Sequence, residues 1–159
     1  MTDKYRPLKD AFGRFATGIA VASCRKADGS IAALTINSFT SVSLEPPLVL
    51  WCLENRASAY SAFMAADHYG VSILRADQEA ASQRFARFLP EGPKDEEFEL
   101  WSSGAPILKE RLAGFECKIT ARHEAGDHVI LVGEVTRFDS AKGEPLIYFA
   151  SNYVKGVER

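Results

Sequence analysis

The chain has 159 residues, of which 47% are hydrophobic and 25% charged, and its formal net charge is −2. This length is sufficient for one globular domain with a substantial core. The near-neutral charge argues against a nucleic-acid-binding or membrane-surface protein, and no apolar run approaches the roughly 20 residues that span a bilayer.

Cysteine usage and the first residues indicate the compartment. Cys24, Cys52 and Cys117 are odd in number and far apart, which is typical of thiols in a reducing environment rather than of a disulfide framework. The N-terminal residues show no apolar stretch of the kind found in a signal peptide. We therefore expect a cytoplasmic protein.

Hydrophobic periodicity predicts an N-terminal helix followed by short strands. The helix carries Leu8, Ala11, Phe12 and Phe15 on one face, and Gly18 suits its C-terminal end. Apolar runs bounded by turn residues then predict strands over residues 19–24, 31–36, 48–53 and 71–74.

Two further helices are predicted between these strands and the last third of the chain. One covers about residues 57–66, with Asn55 or Ser58 near its N-cap, and the other follows Asp77. The apolar face of the latter consists of Ala81, Phe85 and Phe88. The segment 89–104 is irregular and acidic, which is typical of a lid or a subunit contact.

The last third of the chain is predicted to be β. Apolar residues from Phe115 to Ala121 alternate with Glu116, Lys118, Thr120 and Arg122, which predicts a strand with one solvated face. Two turns separate it from strands over residues 128–138 and 146–149. Six or seven strands with about three helices favour a mainly β, small-barrel fold over a parallel α/β sheet.

Short polar side chains are concentrated around the predicted strand 48–53. Hydroxyl and amide groups beside free backbone N–H groups can hold an oxygen-rich planar ligand without charge. The same composition is typical of a loop that only turns the chain, so the pattern leaves both interpretations open. The residues concerned are Thr35, Asn37, Ser38, Thr40, Ser41, Ser43 and Asn55.

Several familiar sites lack their defining residues. No Gly-x-Gly-x-x-Gly follows a strand, and residues 13–18 have phosphate-loop glycines without the Lys and Ser/Thr that reach phosphate and Mg²⁺. His123 and His128 are five residues apart and flank a Gly126-Asp127 turn, which does not suit a helical zinc motif. We therefore expect no metal site, and the absence of Gly-x-Ser-x-Gly gives no support to a hydrolase.

His128 itself is open to two interpretations. It begins a predicted strand directly after a turn, so its ring can project from a barrel rim and hold a ligand near neutral pH. The alternative is a turn histidine that binds Asp127 or solvent.

Motifs spread over nearly the whole chain resemble those of one known family. They lie, in order, at residues 12–18, 35–48, 55–58, 84–86, 104–108, 116–117, 126–128 and 148–153. Their order and spacing are similar to those of the short-chain flavin reductases, the reductase components of two-component flavin-dependent monooxygenases. The resemblance implies a single flavin reductase-like domain over residues 1–159, folded as an FMN-binding split β-barrel (Greek-key-like), and a homodimer.

The resemblance also implies which residues bind the flavin and the nicotinamide. The isoalloxazine ring would be lined by Thr35, Ile36, Asn37 and Ser38. The ribityl chain or phosphate would lie beside Ser41 and Val42. The phosphate, or the ADP part of FAD, would meet Glu54, Asn55, Arg56 and Ser58, which agrees with the anion-binding character of a helix start. The remaining implied site residues are Arg84, Phe85, His128, Asn152 and Tyr153.

The implied reaction is hydride transfer from NADH or NADPH to N5 of FMN or FAD, with reduced flavin passing to a monooxygenase. His128 would have a positioning or electrostatic role, because the cofactors supply the chemistry. One alternative is a flavin-storing or redox-sensing protein without fast turnover. Another is a scaffold that has lost flavin, since Ala33 replaces a glycine found in many relatives. The sequence decides neither the nicotinamide donor nor the flavin.

Overall fold

The computed structural model describes residues 3–87 and 90–154, in which most of the chain is antiparallel β-structure. The strands are β1 Thr17–Gly18, β2 Ala20–Arg25, β3 Ile31–Ile36, β4 Thr40–Leu44, β5 Pro47–Glu54, β6 His68–Ile73, β7 Phe98–Leu100, β8 Pro106–Leu108, β9 Ala113–Ala125, β10 His128–Ser140, β11 Ile147–Phe149 and β12 Asn152–Val154. The helices are α1 Arg6–Phe12, α2 Tyr60–Ala65 and α3 Glu79–Phe85, with a 3₁₀ turn at Asp95–Glu97. Within the described residues, no helix combines the length and the apolar character needed to cross a membrane.

Seven strands form one sheet whose two edges are consecutive in sequence. The strand order is β3-β2-β6-β9-β10-β5-β4, and only residues 37–39 separate β3 from β4. So short a connection requires the sheet to curl until its edges approach each other, yet β3 and β4 do not pair. The result is a split barrel, and the predicted mainly β fold with three helices is confirmed.

Aromatic residues fill the barrel interior. Trp51 is fully buried and makes edge-on contacts with Phe63 and Tyr69, at centroid distances of 4.9 and 5.8 Å. A second apolar cluster lies under α3, where Phe85 contacts Phe98 at 6.1 Å. This second cluster attaches α3 to the barrel wall and so fixes one side of the candidate site.

The N-terminal helix differs from its prediction. It ends at Phe12, where Gly13 is the C-cap, and Gly18 lies in β1 instead of ending the helix. The predicted apolar face is not buried: Leu8 and Phe12 of the helix are 51% and 68% exposed, and Phe15, which lies beyond the helix end, is 80% exposed. Periodicity identified the helix correctly, but periodicity does not reveal whether a face has a partner to pack against.

Neither of the other helices has a side-chain cap, although Ser58, predicted near the N-cap of α2, directly precedes that N-cap. Ala59 precedes α2, because Asn55 is held at the end of β5, where its backbone N–H donates to the Asp127 carbonyl at 2.9 Å. Gln78 precedes α3, since the Asp77 carboxylate accepts a hydrogen bond from Arg75 at 3.0 Å. Phe88, predicted on the face of this helix, lies outside the described residues.

The predicted strand count is too low, and part of the predicted solvated face of β9 is covered. The described residues contain twelve strands, because β1, β4, β7, β8 and β12 are too short or too polar to show clear alternation. Glu116 was predicted on the solvated face but is only 2% exposed. The loop between β7 and β8 covers this part of the face, where Ser102 and Ser103 donate hydrogen bonds to the Glu116 carboxylate.

Hydrogen bonds compensate for the burial of the Glu116 carboxylate. Ser103 donates to it from its backbone N–H at 2.9 Å and from its hydroxyl at 2.6 Å, and the Thr136 hydroxyl donates at 3.2 Å. Burial raises the pKa of Glu116, but these hydrogen bonds outweigh that effect and hold the pKa below its ordinary value. The carboxylate thereby anchors the loop between β7 and β8.

We expect Gly70→Ala to destabilise the barrel. A Cβ at Gly70 would lie 2.2 Å from the Pro106 carbonyl oxygen and 2.5 Å from Ile107 Cδ1, so β6 and β8 would have to separate. Overpacking of this kind costs about 1–3 kcal/mol in the free energy of unfolding, measurable by urea denaturation. Gly18→Ala is the matched control, because nothing lies within 4 Å of its added Cβ. Equal stability of the two variants would contradict this packing.

Candidate functional site

A cleft lies beside the end of β3, where the chain leaves one edge of the split barrel. It is open to solvent and has a volume of about 200 Å³. Four predicted site residues come together here: Thr35, Ile36, Asn37 and Tyr153. Sequence reasoning assigned no role to the other four lining residues: Ile19, Ser82, Ala86 and Tyr148.

Hydroxyl groups connect the three elements around this cleft. The Thr35 hydroxyl of β3 donates to the backbone carbonyl of Ser82 at 2.6 Å. The Ser82 hydroxyl and the Tyr153 hydroxyl are 2.9 Å apart and share a hydrogen bond. Because Ser82 is fully buried in α3, it fixes both neighbours to the barrel wall.

Two tyrosines form the aromatic side of the cleft. Tyr148 and Tyr153 are cross-strand partners in the β11–β12 hairpin, and their rings meet at 5.6 Å and 65°. The hairpin turn places Ala150 and Ser151 at φ values of 48° and 65°, a left-handed conformation that non-glycine residues adopt at a cost. The Ala150 N–H donates to the Gly13 carbonyl at 2.9 Å, which attaches this turn to the end of α1.

Asn152 and Ser38 use their side chains within the protein. The Asn152 amide donates to the Ala150 carbonyl at 2.8 Å, within its own hairpin. The Ser38 hydroxyl accepts from the Cys52 N–H at 2.9 Å and donates to the Cys52 carbonyl at 3.4 Å. Ser38 thus satisfies β5 backbone groups at the point where the pairing with β4 has ended.

Asn37, Ser41 and Val42 are exposed at the split. Asn37 lines the cleft, and no hydrogen bond engages its amide within the described parts of the chain. Ser41 and Val42 lie in β4, an edge strand with solvent on its outer side. Edge strands present unpaired backbone N–H and C=O groups, which can bind a planar, oxygen-rich ligand.

Glu54, Asn55, Arg56 and His128 lie together at the barrel rim and are not among the residues that line the cleft. His128 is the register partner of Glu54, and its Nδ1 is 2.7 Å from the Asp127 carboxylate. The hydrogen bond and charge of His128 lower the pKa of Asp127. The His128 ring therefore lies at the rim, as the ligand-binding interpretation predicts. It also contacts Asp127, as the turn-histidine interpretation predicts.

The structure separates Arg84, Phe85 and Ser58 from the cleft. Phe85 is 3% exposed and packs into the core, while Arg84 lies 4.7 Å over its ring and pairs with Glu97 of the acidic segment. Ser58 lines a different pocket, together with Lys26 and other residues. Helix α3 contributes Ser82 and Ala86 to the cleft instead.

One feature of the sequence could have identified Ser82. It lies three residues before Phe85, on the apolar face of the predicted helix, and a buried serine requires a hydrogen-bond partner.

Across residues 3–87 and 90–154, no group of three or more His, Cys, Asp or Glu side chains is arranged to hold a metal ion.

Comparison with known proteins assigns the family. A model of the flavin reductase-like domain matches residues 12–156. The chain belongs to the flavin reductase-like family. The family resemblance stated from the sequence is therefore confirmed.

Individual relatives of this flavin reductase-like chain have named activities. FMN reductase (NADH) SmoA of Agrobacterium fabrum is 42% identical over 143 residues, which cover 90% of this chain and 81% of that protein. The reductase component of the flavin-dependent trigonelline monooxygenase of Acinetobacter baylyi is 38% identical over 156 residues, and the chain spans only 49% of its length.

A solved structure supports the same assignment. The NADH:FAD oxidoreductase SgcE6 of Streptomyces globisporus, in complex with NAD and FAD fragments, superposes with a TM-score of 0.90 at 32% identity. The match covers 99% of this chain and 96% of that one. The split barrel is therefore shared over almost the entire length.

We expect Ser82→Ala to weaken flavin binding through Tyr153. Loss of one hydrogen bond corresponds to about a two- to tenfold higher dissociation constant for FMN, measured by fluorescence titration. Tyr153→Phe should cause a comparable loss, and the double variant no additional one, because both changes remove the same hydrogen bond. Ser140→Ala, at an exposed serine, is the control. Additive losses in the double variant would show that Ser82 does not act through Tyr153.

Proposed function

We propose that this protein is a flavin reductase that transfers hydride from NADH or NADPH to N5 of FMN or FAD. The observation that carries the proposal is the cleft at the open barrel edge, where uncharged hydrogen-bonding groups face two tyrosines. The family assignment and the NADH-dependent activities named for relatives support it. NADH is accordingly the donor we favour.

The flavin and the nicotinamide supply the chemistry, so the protein has to hold two planar rings in contact and exclude water. In this assignment Asn37 hydrogen-bonds the polar edge of the ring. Tyr148 and Tyr153 offer an apolar surface, and the buried Ser82 keeps Tyr153 in place. No side chain is required as a nucleophile.

Reduced flavin then serves a flavin-dependent monooxygenase. The trigonelline relative, which is named a reductase component, supports this assignment. Reduced flavin can diffuse between enzymes, so the two proteins need no stable complex.

We also propose a single domain, a cytoplasmic location and a homodimer. Exposed Val42 and Leu44 on edge strand β4 support a protein contact there, at exposures of 50% and 92%.

Anaerobic stopped-flow mixing with NADH or NADPH tests the function for FMN and FAD in turn. We expect rapid loss of the oxidised flavin absorbance and continued turnover when oxygen is admitted. Binding of flavin without reduction would favour the storage or sensing alternative. If no flavin binds, Ala33 marks a scaffold that has lost the ligand, and the proposed function is wrong.

His128→Ala should lower turnover by about tenfold while leaving a measurable rate, because His128 would orient or stabilise a ligand without reacting itself. His123→Ala is the matched control, since His123 is exposed on the paired strand of the same hairpin. Steady-state rates with varied NADH measure both kcat and KM. If both constants match those of the unaltered protein, His128 does not belong to the site.

A further inference from the structure

Helix α3 is packed between the cleft and the acidic segment. Ser82 and Ala86 line the cleft, while the ring of Phe98, in the acidic segment, contacts Phe85. Successive residues of a helix are rotated by about 100°, so Arg84 projects from the side of α3 opposite to Ser82. The position of this helix therefore determines where the Ser82 hydroxyl and carbonyl lie at the cleft.

An ion pair joins α3 to the acidic segment. The Arg84 guanidinium donates two parallel hydrogen bonds to the two oxygens of the Glu97 carboxylate. Both side chains are partly buried, which reduces the screening of the pair by solvent. Their hydrogen bonds raise the pKa of Arg84 and lower the pKa of Glu97, so both groups are charged at neutral pH. A bidentate pair of this kind fixes orientation as well as distance.

The Glu97 end of this pair is fixed to the barrel. Its carboxylate also accepts from the Lys94 N–H at 3.1 Å, and its backbone carbonyl accepts from the Lys109 N–H at 3.0 Å. β7 and β8 pair directly after it, and the Leu108 N–H of β8 donates to the buried Ser72 hydroxyl of β6 at 3.0 Å. Glu97 is thus a fixed point to which a mobile element can be attached.

Side-chain contacts have to hold α3 in place, because a helix of seven residues has little stability of its own. Its N-terminal end is held by the Gln78 side chain, which accepts from the Arg75 N–H and donates to the Glu110 carbonyl, each at 2.8 Å. Toward the other end, Arg84–Glu97 is the one salt bridge that α3 makes within the described residues. Loss of this pair would free the end of the helix that lies beside the cleft.

Building on the proposed function, we propose that Arg84 and Glu97 are positioning residues for the binding of the flavin ring. By holding α3 against β3, the pair keeps the Ser82 carbonyl at the Thr35 hydroxyl and the Ser82 hydroxyl at that of Tyr153. Arg84 thereby acts on the site through the helix, in place of the direct contact that the resemblance implied. Glu97 joins the site although it lies on the far side of α3.

Riboflavin binding provides the test, because riboflavin carries the flavin ring without a phosphate. We expect Glu97→Gln to raise the dissociation constant of riboflavin about three- to tenfold, since charge-assisted hydrogen bonds are lost. Arg84→Met, which keeps an unbranched side chain beside Phe85, should cause a similar rise, and the double variant no larger one. Fluorescence titration measures the constants. Glu79→Gln is the matched control on the same helix, because within the described residues Glu79 forms no salt bridge.

A second combination separates positioning from a general loss of stability. If Glu97 acts through Ser82, Glu97→Gln/Ser82→Ala should bind riboflavin no more weakly than the weaker of the two single variants. In steady-state reduction by NADH, Glu97→Gln should raise the KM for riboflavin and leave kcat close to that of the unaltered protein. Should Glu97→Gln fail to fold, Glu97→Asp applies the same test, because it keeps the charge and shortens the reach to Arg84.

The other outcomes overturn the proposal in distinguishable ways. An unchanged dissociation constant in Glu97→Gln, or losses that add in the combination with Ser82→Ala, would show that the pair only stabilises the fold. Reduction of flavin by the unaltered protein would in that case still support the proposed function. If the unaltered protein neither binds nor reduces any flavin, the proposed function fails and the positioning role fails with it.

Discussion

The three residues that join β3 to β4 are the constraint on which the rest of the structure depends. These strands are the two edges of a seven-stranded sheet, and a link over residues 37–39 allows no wide separation between them. The sheet consequently curls around Trp51 and Phe63. Because the edges approach without pairing, backbone polar groups and short polar side chains remain available at the seam.

The cleft combines this seam with two elements that are distant in sequence. Helix α3 contributes Ser82 from beneath, and the β11–β12 hairpin contributes Tyr148 and Tyr153 from the side. Their hydroxyl contacts are partly buried and centre on the fully buried Ser82, so water competes less for these hydrogen bonds than at an exposed site. A polar site can thus be rigid although it sits at an opening in the barrel.

Local pattern predicted the paired strands well, because alternation and turn chemistry act over a few residues. The β2–β3 hairpin and the Gly126 turn between β9 and β10, with φ at 64°, are examples. The cleft was only partly predictable, since Thr35 to Asn37 lie in a recognisable segment whereas Ser82 comes from a helix.

Other misjudged residues have specific physical causes. The loop between β7 and β8 covers Glu116 on the face of β9 that alternation predicts to be solvated. Leu8 and Phe12 show the opposite error, since the apolar face of α1 is exposed. In both cases the burial of a side chain depends on which distant part of the chain packs against it. A local sequence pattern carries no information about such packing.

The aromatic wall belongs to a small sheet of its own. β11 pairs with β1 on one side and with β12 on the other, and within the described residues neither β11 nor β12 pairs with a strand of the barrel sheet. Changes to this hairpin can therefore alter the shape of the opening while the barrel keeps its hydrogen-bond ladder. Such an arrangement lets related sequences diversify in which flat molecules they accept, at little risk to folding.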